Sequence, residues 1–130
     1  MDDALIGVRE KSQLYAHYFS EEECDTFFRM SGDRNRHMHS LDGMRIVQGA
    51  LVLMVVATCI SDFIPDFGPM SIGQVVFKKP LHVGDAVCII LHVTRDGSMI
   101  KEVRVQMLRN GVSMIEDVTV RLVHSSKMLR

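Results

Sequence analysis

The sequence of 130 residues lacks the features that mark disordered, secreted or nucleic-acid-binding chains. Only 3 residues are proline and 47% are hydrophobic, a composition that can bury a core and argues against disorder. The net charge of −1 leaves no basic excess for non-specific binding of nucleic acid. The first eleven residues, MDDALIGVREK, are acidic and lack the long apolar run of a signal peptide. We therefore expect a single cytoplasmic domain over residues 1–130.

Cysteine is also scarce in the sequence. Cys24, Cys59 and Cys88 are far apart, odd in number and absent from any CxxC motif. This pattern is typical of reduced thiols in a cytoplasmic protein and not of a disulfide framework. We expect Cys59 and Cys88 to lie in the core.

One hydrophobic run, residues 43–62, dominates the chain. Between residues 50 and 60, Thr58 is the one polar residue. The run is too short to span a bilayer as a helix, and it has no polar face to turn toward solvent. Its length favours a helix over a strand, and the helix is predicted to start between Gly43 and Gly49. Such a helix must be wrapped by other elements, with Met54 filling core space.

The rest of the chain is predicted to supply that wrapping. Residues 11–19 alternate weakly as a strand, and Ser20 begins a helix that ends near Gly32, with Glu23 completing a capping box. Residues 63–69 contain two prolines and a glycine and are predicted to be a loop. Four strands follow, over residues 70–79, 86–94, 99–108 and 112–123, with turns at residues 83–85, 95–98 and 110–111. The order predicts an α+β fold in which an antiparallel sheet wraps around a long central helix.

Three motifs follow one another along the chain. They are Ser31-Gly32-Asp33-Arg34-Asn35-Arg36-His37-Met38-His39, then Val47-Gln48-Gly49-Ala50-Leu51, and then Gly73-Gln74, Phe77 and Pro80 with Val83-Gly84-Asp85. Together with the order of elements, they resemble the MaoC-like, (R)-specific enoyl-CoA hydratase family over about residues 11–123. The resemblance implies the hot-dog fold. It also implies a substrate that is an acyl thioester of CoA or of an acyl carrier protein.

The resemblance implies an acid-base pair in the first motif. Hydration of an enoyl thioester needs a base that activates water and an acid that protonates the α-carbon. Asp33 and a neighbouring histidine are the implied pair. The family's histidine falls at Met38 in this chain, between His37 and His39, so the choice between these two histidines stays open. The family's proline is replaced by Arg36.

The resemblance also implies substrate-binding residues. The amide of Gly49, at the positive end of the central helix, is the implied donor to the thioester oxygen. Gln48, where the family has a histidine, adds a side-chain amide or holds the loop, and Asn35 orients Asp33 or its loop. An acyl channel is suggested by Met44, Val47 and Leu51. A CoA phosphate or an acidic carrier protein would meet cations at Lys78, Lys79, Arg34, Arg36 and Arg45, unless these only form a solvated rim.

Simpler interpretations of the same residues stay open. Asp33 can cap a turn, Gly49 can permit close packing of helix on sheet, and His37 with His39 can be two metal ligands. No third ligand is evident in the sequence, and we expect neither a metal nor a cofactor. His17 and the remaining histidines are interpreted as strand or surface residues.

Two other functions stay open beside the hydratase or dehydratase. Acyl-thioester hydrolases of this fold usually bring a carboxylate from within or beside the central helix, and none lies in residues 43–61. A non-catalytic acyl-binding or partner-binding protein is favoured by Arg36, Met38 and Gln48. We expect no membrane contact and a homodimer, because pairing two subunits covers an exposed edge strand. The candidate contacts are the strand over residues 72–77 or the last strands, with Val103 and Val105.

Overall fold

The structure is a computed structural model that describes residues 11–31 and 43–128. Its elements are listed here in chain order: β1 (Ser12–Tyr18), α1 (Glu21–Ser31), α2 (Gly49–Phe63), β2 (Phe67–Ile72), β3 (Ala86–Asp96), β4 (Ile100–Arg109), β5 (Val112–Ser113), β6 (Val118–His124) and α3 (Ser125–Met128). These bounds place a strand, two main helices and a run of strands in the predicted order.

The strands form one curled antiparallel sheet in the order β1-β3-β4-β6-β2, with β5 paired to the end of β4. Side chains of a strand alternate between the two faces of a sheet, and here one face is buried. The buried side chains of the central strands are Val87, Ile89, Leu91, Val93, Val103, Val105 and Met107. Because Val103 and Val105 lie in this core, the hypothesis that they contact a second subunit is wrong.

Helix α2 packs on the buried face of the sheet. Its core side consists of Leu51, Val52, Val56 and Ile60. The opposite side is not covered by the described residues, and Met54 is 54% exposed. The prediction that Met54 fills core space is therefore wrong. Among the described residues of one subunit, this largely apolar helix is fully buried along one side.

The hairpin turns are encoded locally. Asn110 and Gly111 have positive φ angles of 50° and 77°, as the predicted Asn-Gly hairpin requires. At the other turn, a Cβ on Gly97 would lie 2.6 Å from the carbonyl oxygen of Ile100, so only glycine fits without a backbone shift. β3 runs to Asp96, two residues further than predicted.

The predicted loop over residues 63–69 is partly wrong, because α2 extends through Phe63 and β2 begins at Phe67. Pro69 lies within β2, where the register with β6 is irregular. An edge strand tolerates proline, since its outward amides need no partner in the sheet. Beyond Ile72 the chain stays close to its neighbours through backbone bonds, from Gly73 to Thr119 and from Lys78 to Met114.

The burial of the cysteines differs from the prediction. Cys24 on α1 is 1% exposed and belongs to the core, whereas Cys59 and Cys88 are only half-buried. Cys88 lies on the outward face of β3, between the buried side chains of Val87 and Ile89. The three thiols are free.

Candidate functional site

The segment before α2 is extended, and α2 begins at Gly49, the late end of the predicted range. Gly43 has a φ of 83°, which a right-handed helix excludes. Ile46 then forms a β-bridge with His82, and the Val47 amide donates to the Leu81 carbonyl at 2.7 Å. This pairing fixes the direction from which the chain enters the helix.

The amide of Gly49 lies at the positive end of α2. As the first helical residue, Gly49 has an N–H without an intrahelical acceptor. Gly49 also lines an open cleft of about 410 Å³, together with Phe77, Lys78 and Lys79. The helix dipole and the two ammonium groups make this cleft favourable for negative charge.

The structure tests the packing interpretation of Gly49. A Cβ at this position would lie 3.6 Å from Cε2 of Phe77, which is an ordinary van der Waals contact. Packing therefore does not demand glycine here. Glycine at this position places a backbone without a side chain in the lining of the cleft.

Gln48 is the N-cap residue of α2 and is only 3% exposed. Its side chain makes no capping hydrogen bond, and neither Oε1 nor Nε2 has a hydrogen-bond partner among the described residues. A buried amide without partners costs about 1–3 kcal/mol of desolvation. In the described part of the chain, Gln48 is thus the one buried side chain whose polar atoms form no hydrogen bond.

A buried carboxylate, that of Asp85, stabilises the loop that pairs with the segment before α2. Asp85 is 6% exposed, accepts a hydrogen bond from the His82 amide at 2.8 Å, and forms an ion pair with Arg109 Nε at 2.9 Å. In the same loop, the Val83 amide donates to the Arg45 carbonyl at 2.9 Å. Asp85 therefore holds the loop that in turn holds the entry to α2. In the sequence, the Val83-Gly84-Asp85 motif predicts only a turn, and this support is visible only in the tertiary structure.

Two of the five candidate anion-binding cations line the cleft. Lys78 and Lys79 do so, whereas the Arg45 guanidinium forms an ion pair with Asp25 at 2.8 Å. Arg45 thereby ties α1 to the segment before α2 and acts as scaffold. Arg34 and Arg36 lie outside the described residues.

The predicted acid-base residues also lie outside the described residues. These are Asp33, His37 and His39, with the orienting residue Asn35. Their roles stay predictions. Of the motif that carries them, Ser31 is described, as the last residue of α1.

A second cleft, of about 240 Å³, contains a pair that sequence reasoning missed. His17 Nε2 lies 2.8 Å from Glu23 Oε1, and the cleft also involves Thr58 and Cys59 of α2. The capping box is only half formed, because the Glu23 amide donates to Ser20 Oγ at 3.0 Å while its carboxylate turns to His17. A local motif signals the cap, but the histidine comes from the preceding strand.

The described residues give little support for a metal site, a cysteine nucleophile or a membrane-spanning helix. Within residues 11–31 and 43–128, no group of three or more His, Cys, Asp or Glu side chains has the arrangement of a metal site. Burial raises the pKa of the Cys24 and Cys59 thiols, which disfavours the nucleophilic thiolate. No helix in the described part of the chain is long and apolar enough to cross a membrane.

Fold and site together define a hot-dog protein with an open cleft at the start of its central helix. Solved structures share this fold. The R-hydratase PhaJ1 from Pseudomonas aeruginosa is 17% identical with a TM-score of 0.77, covering 88% of this chain and 80% of that one. The (R)-hydratase from A. caviae involved in PHA biosynthesis is 18% identical with a TM-score of 0.73, covering 86% and 93%.

A third similar structure is the HadBC (3R-hydroxyacyl-ACP dehydratase) complex from Mycobacterium tuberculosis. It is 15% identical with a TM-score of 0.70, covering 89% of this chain and 97% of that one. No protein-family model matches the chain, and no curated protein matches it significantly. At these identities the likeness establishes the fold. The predicted hot-dog fold is confirmed, and so is the resemblance drawn from the motifs at the level of the fold.

Proposed function

We propose that the protein is a hydratase or dehydratase that acts on acyl thioesters of CoA or of an acyl carrier protein. The observation that carries the proposal is the Gly49 amide at the start of α2, which has no intrahelical acceptor, beside a cleft that Gly49 lines together with Lys78 and Lys79. Two hydratases and a dehydratase share the fold, which supports a reaction of the same kind at this site. The proposal includes a cytoplasmic location.

Gly49 and Gln48 stabilise the thioester oxygen in the proposed mechanism. When water adds to C3 of the enoyl group, negative charge develops on this oxygen. The Gly49 N–H donates to it, and the helix dipole supports the charge without reorganisation. The side-chain amide of Gln48, which lacks a partner among the described residues, adds a second donor.

Asp33 and one histidine, His39 or His37, carry the proton steps. One of the two takes a proton from water while the water oxygen bonds to C3. The other gives a proton to C2, so one water is divided across the double bond. Dehydration of the 3-hydroxyacyl thioester is the reverse. Asn35 orients Asp33.

The carrier group of the substrate provides the negative charge that the cleft favours. Lys78 and Lys79 line the cleft that leads to the Gly49 amide. Their ammonium groups would attract the phosphates of CoA or the acidic surface of a carrier protein.

Hydrolysis of an acyl thioester is the second candidate function, because a carboxylate and a histidine are paired beside α2. Glu23 does not belong to α2, yet it lies in a cleft beside this helix and pairs with His17. Hydrolases of this fold usually bring a carboxylate from within or beside the central helix, and residues 43–61 contain none. A purely binding protein is the remaining alternative.

The deciding experiment follows crotonyl-CoA at the enoyl absorbance and free thiol in parallel. We expect the parent to hydrate crotonyl-CoA without thiol release. Asp33→Asn and one of His37→Ala and His39→Ala should lower kcat by about 10²–10⁴-fold, the range for loss of a general acid or base. Glu23→Gln is the matched control and should retain activity. Thiol release that is lost in Glu23→Gln would establish the hydrolase instead, and no turnover of either kind would leave a binding protein.

A further inference from the structure

The junction loop, residues 81–85, is bonded to the segments that lead into both main helices. Its Leu81 carbonyl accepts a hydrogen bond from the Val47 amide, just before α2. Its Gly84 amide donates to the carbonyl of Phe19 at 2.7 Å. Phe19 lies between β1 and α1 and is fully buried. The junction loop therefore holds the start of α1 and the start of α2 together.

The two helices flank the predicted acid-base residues in the chain. α1 ends at Ser31 and α2 begins at Gly49, and Asp33, His37 and His39 lie between them in the sequence. The proposed reaction needs the acid-base groups and the Gly49 amide at fixed distances from one substrate. Because α1 is a continuous helix, the position of its first turn also constrains its last residue. A loop that is bonded to the starts of both helices is thus placed to set these distances.

The carboxylate of Asp85 anchors the junction loop to the sheet. Its Oδ2 accepts a hydrogen bond from the His82 amide within the loop, whereas its Oδ1 pairs with Nε of Arg109 at 2.9 Å. Arg109 is the last residue of β4, a central strand of the sheet. Among the described residues, Asp85 is the one charged residue that is buried. A buried carboxylate that loses its cation is strongly unfavourable, so the place of Asp85 depends on Arg109.

The turn in the junction loop does not itself require this ion pair. Gly84 has a φ of 99°, and the Asp85 amide donates to the His82 carbonyl at 2.9 Å, so the backbone closes the turn. An asparagine at position 85 would accept the His82 amide as aspartate does. The negative charge therefore serves the connection to β4 and not the formation of the turn.

We propose that Asp85 and Arg109 are positioning residues whose ion pair fixes the Gly49 amide relative to α1. The inference rests on the proposed function. Neither of the two side chains lines the cleft at Gly49, so neither touches the substrate there. They act through Leu81, which lines the cleft and accepts the hydrogen bond from Val47.

Removal of the cation tests the proposal. Arg109→Met keeps an unbranched side chain and takes away the partner of the buried carboxylate. In this variant, kcat for crotonyl-CoA should fall about 10–100-fold, as for a misplaced catalytic group, while KM changes less than about twofold. Arg109→Lys keeps the positive charge and should recover most of the lost kcat. A role in folding alone would lower the active fraction without this recovery at full folding, which circular dichroism checks.

The matched control is Arg121→Met. Arg121 on β6 is 45% exposed, against 43% for Arg109, and it pairs with Glu102 at 2.9 Å. It has no bond to the junction loop among the described contacts, so Arg121→Met should leave kcat unchanged. An unchanged kcat in Arg109→Met, an equal loss in Arg121→Met, or no recovery in Arg109→Lys would overturn the proposal.

Amide hydrogen exchange separates the positioning role from the proposed reaction. In Arg109→Met, the amides of Val47 and Gly84 should exchange about tenfold faster, because both hydrogen bonds involve the junction loop. The reference is the His124 amide, which is bonded to the Met99 carbonyl at the opposite end of β4 and should not change. If the parent turns over no enoyl thioester, the proposed function fails and exchange alone decides the positioning role. Unchanged exchange at Val47 and Gly84, or faster exchange at all three amides, rejects that role.

Discussion

At the scale of single residues, the proposed chemistry depends on one backbone amide. The role of a side chain can be tested by many substitutions, but a backbone N–H is removed only by substitution with proline. Gly49 offers this opportunity because it is the first residue of α2, where proline is well tolerated. The preceding residue, Gln48, already has the extended ψ of 131° that a following proline favours.

We predict that Gly49→Pro lowers kcat for crotonyl-CoA by about 10²–10³-fold, the usual loss for one donor to a developing oxyanion. The protein should remain folded, because the deleted N–H has no intrahelical acceptor. Steady-state kinetics and circular dichroism on the same preparation measure both effects.

Gly49→Ala is the control for this variant. It adds a Cβ near Phe77, as proline does, but it keeps the N–H. If Gly49→Ala loses as much kcat as Gly49→Pro, the cleft needs space and not a donor, and the role proposed for the amide is refuted.

At the scale of elements, α2 is anchored to the rest of the molecule at both ends. Its entry is held by the loop that Asp85 supports. At its far end, Tyr15 of β1 donates its hydroxyl hydrogen bond to Asp62 Oδ2 at 2.7 Å. The two anchors keep the start of the helix, and with it the cleft, in register with the sheet.

The anchor at Tyr15 depends on pH in a defined direction. Burial, followed by the hydrogen bond to Asp62, raises the pKa of Tyr15 to about 12, from about 10 in an unfolded chain. A raised folded-state pKa contributes stability that is fully present below pH ~10 and is lost as the pH rises toward about 12. We predict that Tyr15→Phe lowers the free energy of unfolding by about 1 kcal/mol at pH 8.

Urea unfolding between pH 8 and 11.5 measures this effect. The difference between parent and Tyr15→Phe should shrink toward the alkaline end of the series. Tyr18→Phe is the matched control, since Tyr18 is on the same strand and 59% exposed. A Tyr15→Phe difference that stays constant with pH would mean that the lost stability comes from packing and not from the hydrogen bond.

At the scale of the whole molecule, three of the large apolar side chains that are exposed among the described residues lie on α2 and β2. Leu53 and Met54 on α2 are 39% and 54% exposed, and Ile72 at the end of β2 is 51% exposed. β2 is also an edge of the sheet, with β6 as its one partner among the described strands. An open edge beside exposed apolar side chains is the arrangement that association covers. We propose that two copies of the chain pair here as a homodimer.

This proposal predicts that the protein sediments as a dimer and that Ile72→Lys weakens the dimer by about tenfold or more. An ammonium group at the interface would lose its hydration on association. Analytical ultracentrifugation over a concentration series gives the dissociation constant. Leu14→Lys on the opposite edge strand, β1, is the control and should leave the dimer intact. A monomeric parent, or dissociation caused only by Leu14→Lys, contradicts the proposed interface.

The sequence by itself determined the features that depend on neighbouring residues. The Asn110-Gly111 turn, the alternation along β3 and β4, and the start of α1 after Ser20 each follow from a few adjacent side chains. The apolar run of α2 likewise required a sheet to cover it, and the motifs led to the hot-dog fold. These patterns act locally, so no knowledge of the distant chain is needed to interpret them.

Only the tertiary structure decided which distant residues meet. It delayed the start of α2 to Gly49, because residues 46–47 pair with residues 81–82. It buried Cys24 in place of the two predicted cysteines, turned Glu23 toward His17, and brought Lys78 beside the helix terminus. Burial and charge at a point depend on every element packed around it, and those elements come from separate parts of the chain. The chemistry of the cleft is therefore a property of the folded molecule, assembled from segments that the sequence keeps apart.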